Sequence, residues 1–168
     1  MNNPRINSPR GPSRVKLDRI DRRILEELQS DARLSSAELA ERVSLTTSPC
    51  WRRVKRLEEE GLISGYHARL DAARLGYQVT AIVQISLDKK DTESLQAFEA
   101  AVQGIPQVVA CFRISGRYDH QLIVVAEDLE AYGVFSSNYI NALPGVKEVY
   151  TSFVLKQVKV ANNPPLPG

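Results

Sequence analysis

The sequence is poor in the residues that build disulfide frameworks, metal sites and acid–base pairs. Its 168 residues include two cysteines, Cys50 and Cys111, and two histidines, with no CxxC motif and no histidine pair near either cysteine. A disulfide framework needs several cysteines, and a structural zinc site needs a cluster of Cys and His ligands. We therefore expect no disulfide, no bound metal and no cofactor.

Long apolar runs are missing as well. No run approaches the roughly 18 residues that a helix needs to cross a bilayer. The first residues, MNNPRINSPRGPSRVK, lack the apolar core of a signal peptide. We therefore expect a cytoplasmic protein without a membrane partner.

Charge is small in total but uneven along the chain. The formal net charge is +2, yet residues 1–70 hold 14 Lys and Arg against 10 Asp and Glu, and the remainder holds 8 against 10. Such an asymmetry is typical of a chain in which one part contacts a polyanion.

Three helices are predicted in the basic first half. Apolar residues recur at helical spacing over 17–28, where Asp18 can cap the first helix. Ser35 and Glu38 fit a Ser-x-x-Glu capping box for the second helix. The third helix lies within TTSPCWRRVKRLEEEG, residues 46–61, with Ser48 expected as N-cap, Pro49 as first helical residue and a left-handed stop at Gly61. The short break between the second and third helices predicts a helix-turn-helix.

The helical phase of the third helix predicts what its basic residues do. At about 100° per residue, Cys50, Trp51, Val54 and Leu57 cluster on one side and are expected to face the core. Arg52 and Arg56 then project outward below the helix N-terminus, where a guanidinium can bond guanine in the major groove. Arg53 and Lys55 lie on the flanks, at the height of the phosphates. The predicted DNA contacts are Thr46, Thr47, Ser48, Pro49, Arg52, Arg53, Lys55 and Arg56.

An isolated basic run of this kind is more often a solvated helix face. Its position on the third helix of a helix-turn-helix favours DNA instead. The alternation in ISGYHARLD, residues 63–71, adds a strand with Tyr66, Ala68 and Leu70 on one side, and this strand is expected to form a wing.

The second half of the sequence changes to strand periodicity. Strands are predicted at VTAIVQISL, VVACFRIS, QLIVVA and VKEVYTSFVLKQV, and helices at 92–102 and 129–143. The order βαββαβ predicts a ferredoxin-like sandwich, so the fold class is α+β. The expected domains are a disordered basic arm (1–16), a winged helix-turn-helix (17–71), a linker (72–78), the βαββαβ domain (79–160) and a flexible tail (161–168).

The turn GRYDH, residues 116–120, allows two interpretations. Gly116 can adopt a positive φ and Asp119 suits a turn, so the segment serves as a hairpin connection. Alternatively, the Asp119 carboxylate binds an ammonium group while free backbone N–H groups bind a carboxylate, which makes a zwitterion site. The residues alone do not separate these interpretations.

Several ordered motifs resemble the Lrp/AsnC family of prokaryotic transcription factors. They are LDRIDRRILEELQSDARLSSAELAERV, SPCWRRVKRLEEEGLISGYHARLD, SGRYDHQL and VKEVYTSFVLKQVK, and together they run from about Leu17 to Val158. The resemblance implies dimers formed through the sheets, assembly into tetramers or octamers, and an amino-acid effector bound at a Gly-x-x-Asp turn. The implied effector residues are Gly116, Arg117, Tyr118, Asp119, His120, Thr151 and Ser152. Family members often have Tyr or Phe at the position of His120, which bears on the identity of the effector.

Catalysis is the alternative from another functional class, because some haem-biosynthesis decarboxylases are similar in fold. His67 is expected on the wing and His120 beside the turn, so no acid–base pair is in evidence. We therefore expect no enzyme but a nucleoid-associated regulator that binds pseudo-palindromic double-stranded DNA under amino-acid control. A second alternative keeps the DNA binding and leaves the second domain with assembly alone.

Overall fold

The structure is a computed structural model that describes residues 15–159 and 164–166. The predicted basic arm, apart from residues 15 and 16, lies outside the described residues. The described residues divide into two compact units at Ala68 and Arg69, and residues 164–166 group with the first unit. None of the described helices is long and apolar enough to cross a membrane.

The first unit contains the three predicted helices. They are α1 (Arg19–Ser30), α2 (Ser36–Arg42) and α3 (Thr47–Glu59). Both expected caps are confirmed. Asp18 and Asp21 form a reciprocal capping box, in which the Asp21 N–H donates to Asp18 Oδ1 at 2.8 Å and the Asp18 N–H donates to Asp21 Oδ2 at 3.2 Å. Ser35 and Glu38 form the second capping box. The helices enclose a core of Ile24, Leu25, Leu39, Ala40, Val43, Cys50 and Leu57.

The start of α3 differs from the prediction. Thr46, not Ser48, is the N-cap, and its side chain makes no capping hydrogen bond. The helix begins earlier because the Cys50 N–H already donates to the Thr46 carbonyl, at 3.2 Å. Pro49 therefore lies within the first turn, where its missing N–H costs no helical bond. The predicted left-handed stop is confirmed, since Gly61 has φ +72°.

The strand predicted over 63–71 does not form. In the described part of the chain no segment pairs with these residues, and both Tyr66 and Leu70 are exposed. Alternation alone does not make a strand, because the strand needs a partner for its backbone hydrogen bonds. Tyr66 instead donates from its hydroxyl to Glu58 Oε1 at 3.0 Å, and burial together with this carboxylate raises the pKa of the phenol to about 12.

The second unit has the predicted βαββαβ order after a short 3₁₀ turn at Ala73–Leu75. Its elements are β1 (Val79–Leu87), α4 (Thr92–Gln103), β2 (Val108–Arg113), β3 (His120–Ala126), α5 (Leu129–Phe135) and β4 (Val146–Phe153). The strands form one antiparallel sheet in the order β2-β3-β1-β4. The α+β fold class is therefore confirmed.

The helices cover one face of this sheet. Along β1 the buried positions alternate, with Ala81, Val83, Ile85 and Leu87 packed into the core under the helices. The opposite face is apolar at several positions, and no described helix or strand covers it, so Phe112 and Tyr150 are about half exposed.

Two predicted elements end early. The last strand ends at Phe153, and the last helix ends at Phe135 and is followed by a π-helical turn at Ser136–Ile140. In that turn the Asn141 N–H donates to the Ser136 carbonyl at 3.0 Å. A wider turn of this kind returns to the same side after five residues, so Phe135 and Ile140 both reach the core.

Candidate DNA-binding helix and effector turn

The buried side of α3 is rotated relative to the prediction. Cys50 and Leu57 are fully buried and Val54 is partly buried, as expected, but Trp51 is 55% exposed. The interpretation of Trp51 as a core residue was wrong because Arg53 occupies part of the inner side. When the buried side is predicted from the apolar residues alone, every arginine is placed on the exposed side. The predicted buried side is then turned away from Arg53 and toward Trp51.

Arg53 can lie inward because carboxylates of α1 neutralise it. Its Nη1 is 2.6 Å from Asp18 Oδ2 and 2.8 Å from Asp21 Oδ1. The Arg56 Nη2 is 2.6 Å from the other Asp21 oxygen. The Asp21 N–H, together with Arg53, lowers the pKa of Asp18 below its usual value. Two of the four predicted basic contacts are thus paired within the domain, and Asp21 is buried between them.

The other two cations of α3 are exposed. Neither Arg52 nor Lys55 makes an ion pair with any residue that the structure describes. They project on the side opposite Leu57, together with the exposed Ser48. Thr46 and Thr47 are exposed and Pro49 is partly exposed at the N-terminal end of the same helix. This surface offers two unpaired cations, hydroxyl groups and the positive end of a helix dipole to an anionic ligand.

The turn predicted to bind the effector, residues 116–119, connects β2 to β3; it is called the effector turn below. Gly116 has φ +118°, as the turn prediction required. Arg117 lies with its guanidinium carbon 5.2 Å from the Tyr118 ring centroid, and its Nη2 is 3.1 Å from Glu148 Oε1. Tyr118 in turn stacks on Tyr150 with the ring centroids 6.1 Å apart. The turn is thereby held against β4.

Asp119 anchors the turn to the end of β1. The Leu87 N–H donates to its Oδ2 at 2.9 Å, the Ser86 hydroxyl lies 3.5 Å from the same oxygen, and Lys90 Nζ lies 2.7 Å from Oδ1. Its own N–H donates to the Ile85 carbonyl at 2.8 Å. Burial tends to raise the pKa of Asp119, but Lys90 and the Leu87 N–H outweigh this effect, so the pKa is lowered. The carboxylate is therefore ionised and fixed in place.

The same turn also carries backbone donors. Within the described ranges, the N–H groups of Gly116, Arg117 and Tyr118 donate to no backbone or side-chain acceptor. The turn thus combines free N–H donors with one ionised carboxylate, which is the combination that the zwitterion interpretation requires.

The remaining predicted effector residues lie elsewhere on the domain. His120 is 0% exposed; its Nε2 is 3.0 Å from Glu99 Oε1 and its ring packs on Phe98 at 4.5 Å. Thr151 lies on the helix-covered face, where its hydroxyl is 2.7 Å from the Tyr132 hydroxyl. Ser152 pairs with Ile82 on the opposite face and is exposed. Gly116, Arg117, Tyr118 and Asp119 therefore form the accessible turn, and His120 and Thr151 pack against the helices.

Sequence reasoning missed Asp21 and Lys90. Asp21 stands three residues after Asp18, which is the second position of a capping box, and this signal was available in the sequence. Lys90 lies in a short polar loop, and nothing in the local sequence connects it to Asp119, which is far along the chain. No cluster of three or more potential metal ligands occurs in the part of the chain that the structure describes.

Comparisons with known proteins agree with both units. Residues 17–64 match the winged helix-turn-helix DNA-binding family, and residues 80–164 match the Lrp/AsnC ligand-binding domain. The chain is 44% identical over 152 residues to the Bkd operon transcriptional regulator of Pseudomonas aeruginosa, covering 90% of this chain and 99% of that protein. It is 38% identical over 157 residues to the leucine-responsive regulatory protein of Escherichia coli, covering 94% and 95%.

A solved structure gives the same result. A transcriptional regulator from Neisseria meningitidis, in complex with L-methionine, superposes with a TM-score of 0.85 at 35% identity, over 89% of this chain and 97% of that chain. These relatives are transcriptional regulators and not enzymes. The chain therefore belongs to the Lrp/AsnC family and is a DNA-binding transcriptional regulator with a winged helix-turn-helix and a ligand-binding domain.

Proposed function

We propose that the protein binds pseudo-palindromic operators as a homodimer and that an amino acid tunes this binding. The observation that carries the DNA-binding part is the exposed face of α3, where Arg52 and Lys55 have no intramolecular partner among the described residues. Arg53 and Arg56 of the same helix are paired with carboxylates of the domain, whereas in the described part of the chain Arg52 and Lys55 are not. This difference favours an external anion as the partner of Arg52 and Lys55. Such an assembly resides with the nucleoid in the cytoplasm.

The four basic residues of α3 have two different roles in this proposal. Arg52, below Ser48 on the outer face, reads a base edge in the major groove, where Arg commonly pairs with guanine O6 and N7. Lys55 contacts a phosphate. Arg53 and Arg56 keep their bonds to Asp21 and set the position of α3 on α1; because their side chains are 29% and 43% exposed, they also contribute positive potential near the phosphates.

Dimerisation is supported by the uncovered face of the sheet. Phe112 and Tyr150 are about half exposed there, beside Ile82 and Ile123. A second copy on this face buries these side chains and creates a two-fold axis, and tetramers or octamers arise by association of such dimers. The α3 helices of the two copies then meet half-sites about one helical turn apart, ~34 Å. Footprints confined to single, non-symmetric half-sites would contradict the dimer.

An α-amino acid fits the chemistry of the effector turn. The ionised Asp119 accepts from an ammonium group, and the free N–H groups of Gly116, Arg117 and Tyr118 bind a carboxylate. The ligand-binding domain match and the L-methionine complex of the Neisseria meningitidis relative support this ligand class. L-Methionine is accordingly the first compound to test.

A second candidate function has an observation of its own. The Asp119 carboxylate already has Leu87, Ser86 and Lys90 as partners, as a purely structural turn would require. In that case the second domain serves assembly alone. A thermal-shift screen of the twenty amino acids on the full chain separates the candidates, because a ligand that binds only the native state raises its melting temperature. A saturable rise with one or a few amino acids supports effector binding, and no rise with any of them supports assembly alone.

A further inference from the structure

We propose that Lys90 is a tethered competitor that holds the ammonium position of the effector site. In the chain as it stands, Lys90 Nζ occupies the Asp119 oxygen that an incoming α-ammonium group needs. This inference rests on the proposed effector function. It adds a residue that determines affinity and specificity but contacts no effector atom in the bound state.

The two Asp119 oxygens differ in what holds them. Oδ2 bonds to the backbone N–H of Leu87 at 2.9 Å, a partner that belongs to the sheet and cannot leave without unfolding it. Oδ1 bonds to Lys90 Nζ at 2.7 Å, and Nζ ends a four-carbon side chain. Only the second bond can be exchanged while the fold stays intact. Oδ1 is therefore the acceptor available to a ligand.

The exposure of the Lys90 and Asp119 side chains also favours exchange at Oδ1. The Lys90 side chain is 58% exposed and that of Asp119 is 12% exposed. An exposed ammonium that leaves its partner is rehydrated at little cost, whereas the carboxylate has few water contacts and needs a cation in that position. Exchange of one ammonium group for another satisfies Asp119 throughout.

The loop backbone that carries Lys90 is fixed at both sides. The Asp88 N–H donates to the Gly145 carbonyl at 2.9 Å, and Asp91 caps α4 by accepting from the Ser94 N–H at 2.9 Å. Lys90 therefore stays within reach of Asp119 through side-chain motion alone. Its local concentration is high, since a short tether gives effective concentrations in the millimolar range.

The Lys90 ammonium group makes the site discriminate between α-amino acids and simple amines. A simple alkylamine offers the same interaction as Lys90 without the tether, so it does not displace Lys90. An α-amino acid adds a carboxylate that binds the free N–H groups of Gly116, Arg117 and Tyr118. With this second interaction its ammonium group displaces Lys90 from Asp119. We therefore expect α-amino acids to bind and n-propylamine not to.

The test compares the wild-type chain and three variants by isothermal titration with L-methionine and with every other amino acid that shifts the melting temperature. Lys90→Gln removes the competing charge, and Lys90→Arg retains it. Lys89→Gln is the matched control, because Lys89 is exposed in the same loop and makes no ion pair among the described residues. Exposed ion pairs contribute little, so the Kd for Lys90→Gln should fall by about two- to fivefold, whereas Lys90→Arg and Lys89→Gln should stay near wild type.

The outcomes separate this inference from the function on which it rests. If wild type binds an amino acid and Lys90→Gln binds it equally or more weakly, the competitor role is wrong while the effector function stands. If no amino acid binds wild type or any variant, both are wrong. A lower Kd in Lys90→Gln and no binding of n-propylamine support the proposal.

Discussion

Asp21 should stabilise the DNA-binding domain far more than an ordinary surface acid. Its side chain is 1% exposed and lies 2.8 Å from Arg53 Nη1 and 2.6 Å from Arg56 Nη2, while it also accepts from the Asp18 N–H at 3.2 Å. Asp21→Asn keeps the shape of the side chain and removes its charge. Since an amide has one acceptor oxygen, its NH₂ group must then face a donor, and at least one of the two guanidinium groups loses its bond to residue 21.

The size of the loss follows from how well the arginines can be rehydrated. Breaking a fully buried ion pair costs about 3–5 kcal/mol, and an exposed pair contributes at most about 1 kcal/mol. Asp21 is buried, but Arg53 and Arg56 are 29% and 43% exposed and regain water. We expect Asp21→Asn to lower the free energy of unfolding of this domain by about 2 kcal/mol.

Trp51 makes the measurement specific to this domain. It is the one tryptophan of the sequence and lies on α3, so urea unfolding followed by its fluorescence reports the first unit. With an m-value of about 1–2 kcal/mol/M for so small a domain, the midpoint should fall by about 1–2 M. Glu26→Gln, at an exposed position of α1, is the control and should leave the midpoint unchanged. An Asp21→Asn midpoint within about 0.3 M of wild type would refute the reasoning.

Two further predictions concern the second domain. Arg113 and then His120 lower the pKa of Glu99 from 4.5 to about 2, so the ionised carboxylate stabilises the fold above pH 4.5 and this contribution is lost as the pH falls toward 2. Chemical unfolding followed by circular dichroism should therefore show that Glu99→Gln has a lower free energy of unfolding than wild type at pH 7. Between pH 4.5 and 2 the free energy of unfolding of this variant should also change less with pH than that of wild type. Glu93→Gln, at an exposed position, is the control and should keep the wild-type pH dependence. Gly116→Ala should lower the free energy of unfolding by about 1–2 kcal/mol in the same assay, because an alanine at φ +118° is strained although its Cβ meets no atom. An unchanged free energy of unfolding would contradict the interpretation that this turn requires a left-handed backbone.

Where a local signal determines the structure, the sequence predicted it closely. The strand over 79–87, the N-cap at Asp18 and the capping box at Ser35 occur as expected, because alternation and side-chain capping act over a few residues. The turn at Gly116 belongs to the same group. Glycine permits its positive φ, and the position between two strands requires a turn there.

The predictions that failed depend on distant partners. Trp51 was assigned to the core because a pattern cannot show that Arg53 is neutralised by Asp21, thirty-two residues away. The strand predicted at 63–71 finds no pairing partner among residues 15–159 and 164–166. By contrast, the effector role of His120 stays a prediction; the alternation of β3 directs its ring into the core beside Glu99. The predictions for Trp51 and for residues 63–71 thus failed because the presence or absence of contacts between remote segments cannot be seen in a local pattern.

The central claim is that the exposed face of α3 reads DNA, with Arg52 on a base and Lys55 on a phosphate. Fluorescence anisotropy at several salt concentrations tests it, with a duplex selected by the protein from a randomised pool and a scrambled duplex of equal length. Arg52→Ala should cost about 1–3 kcal/mol on the selected duplex and much less on the scrambled one, whereas Lys55→Ala should weaken both alike and reduce the salt slope by about 1. Equal behaviour of the two variants on the two duplexes would contradict the claim.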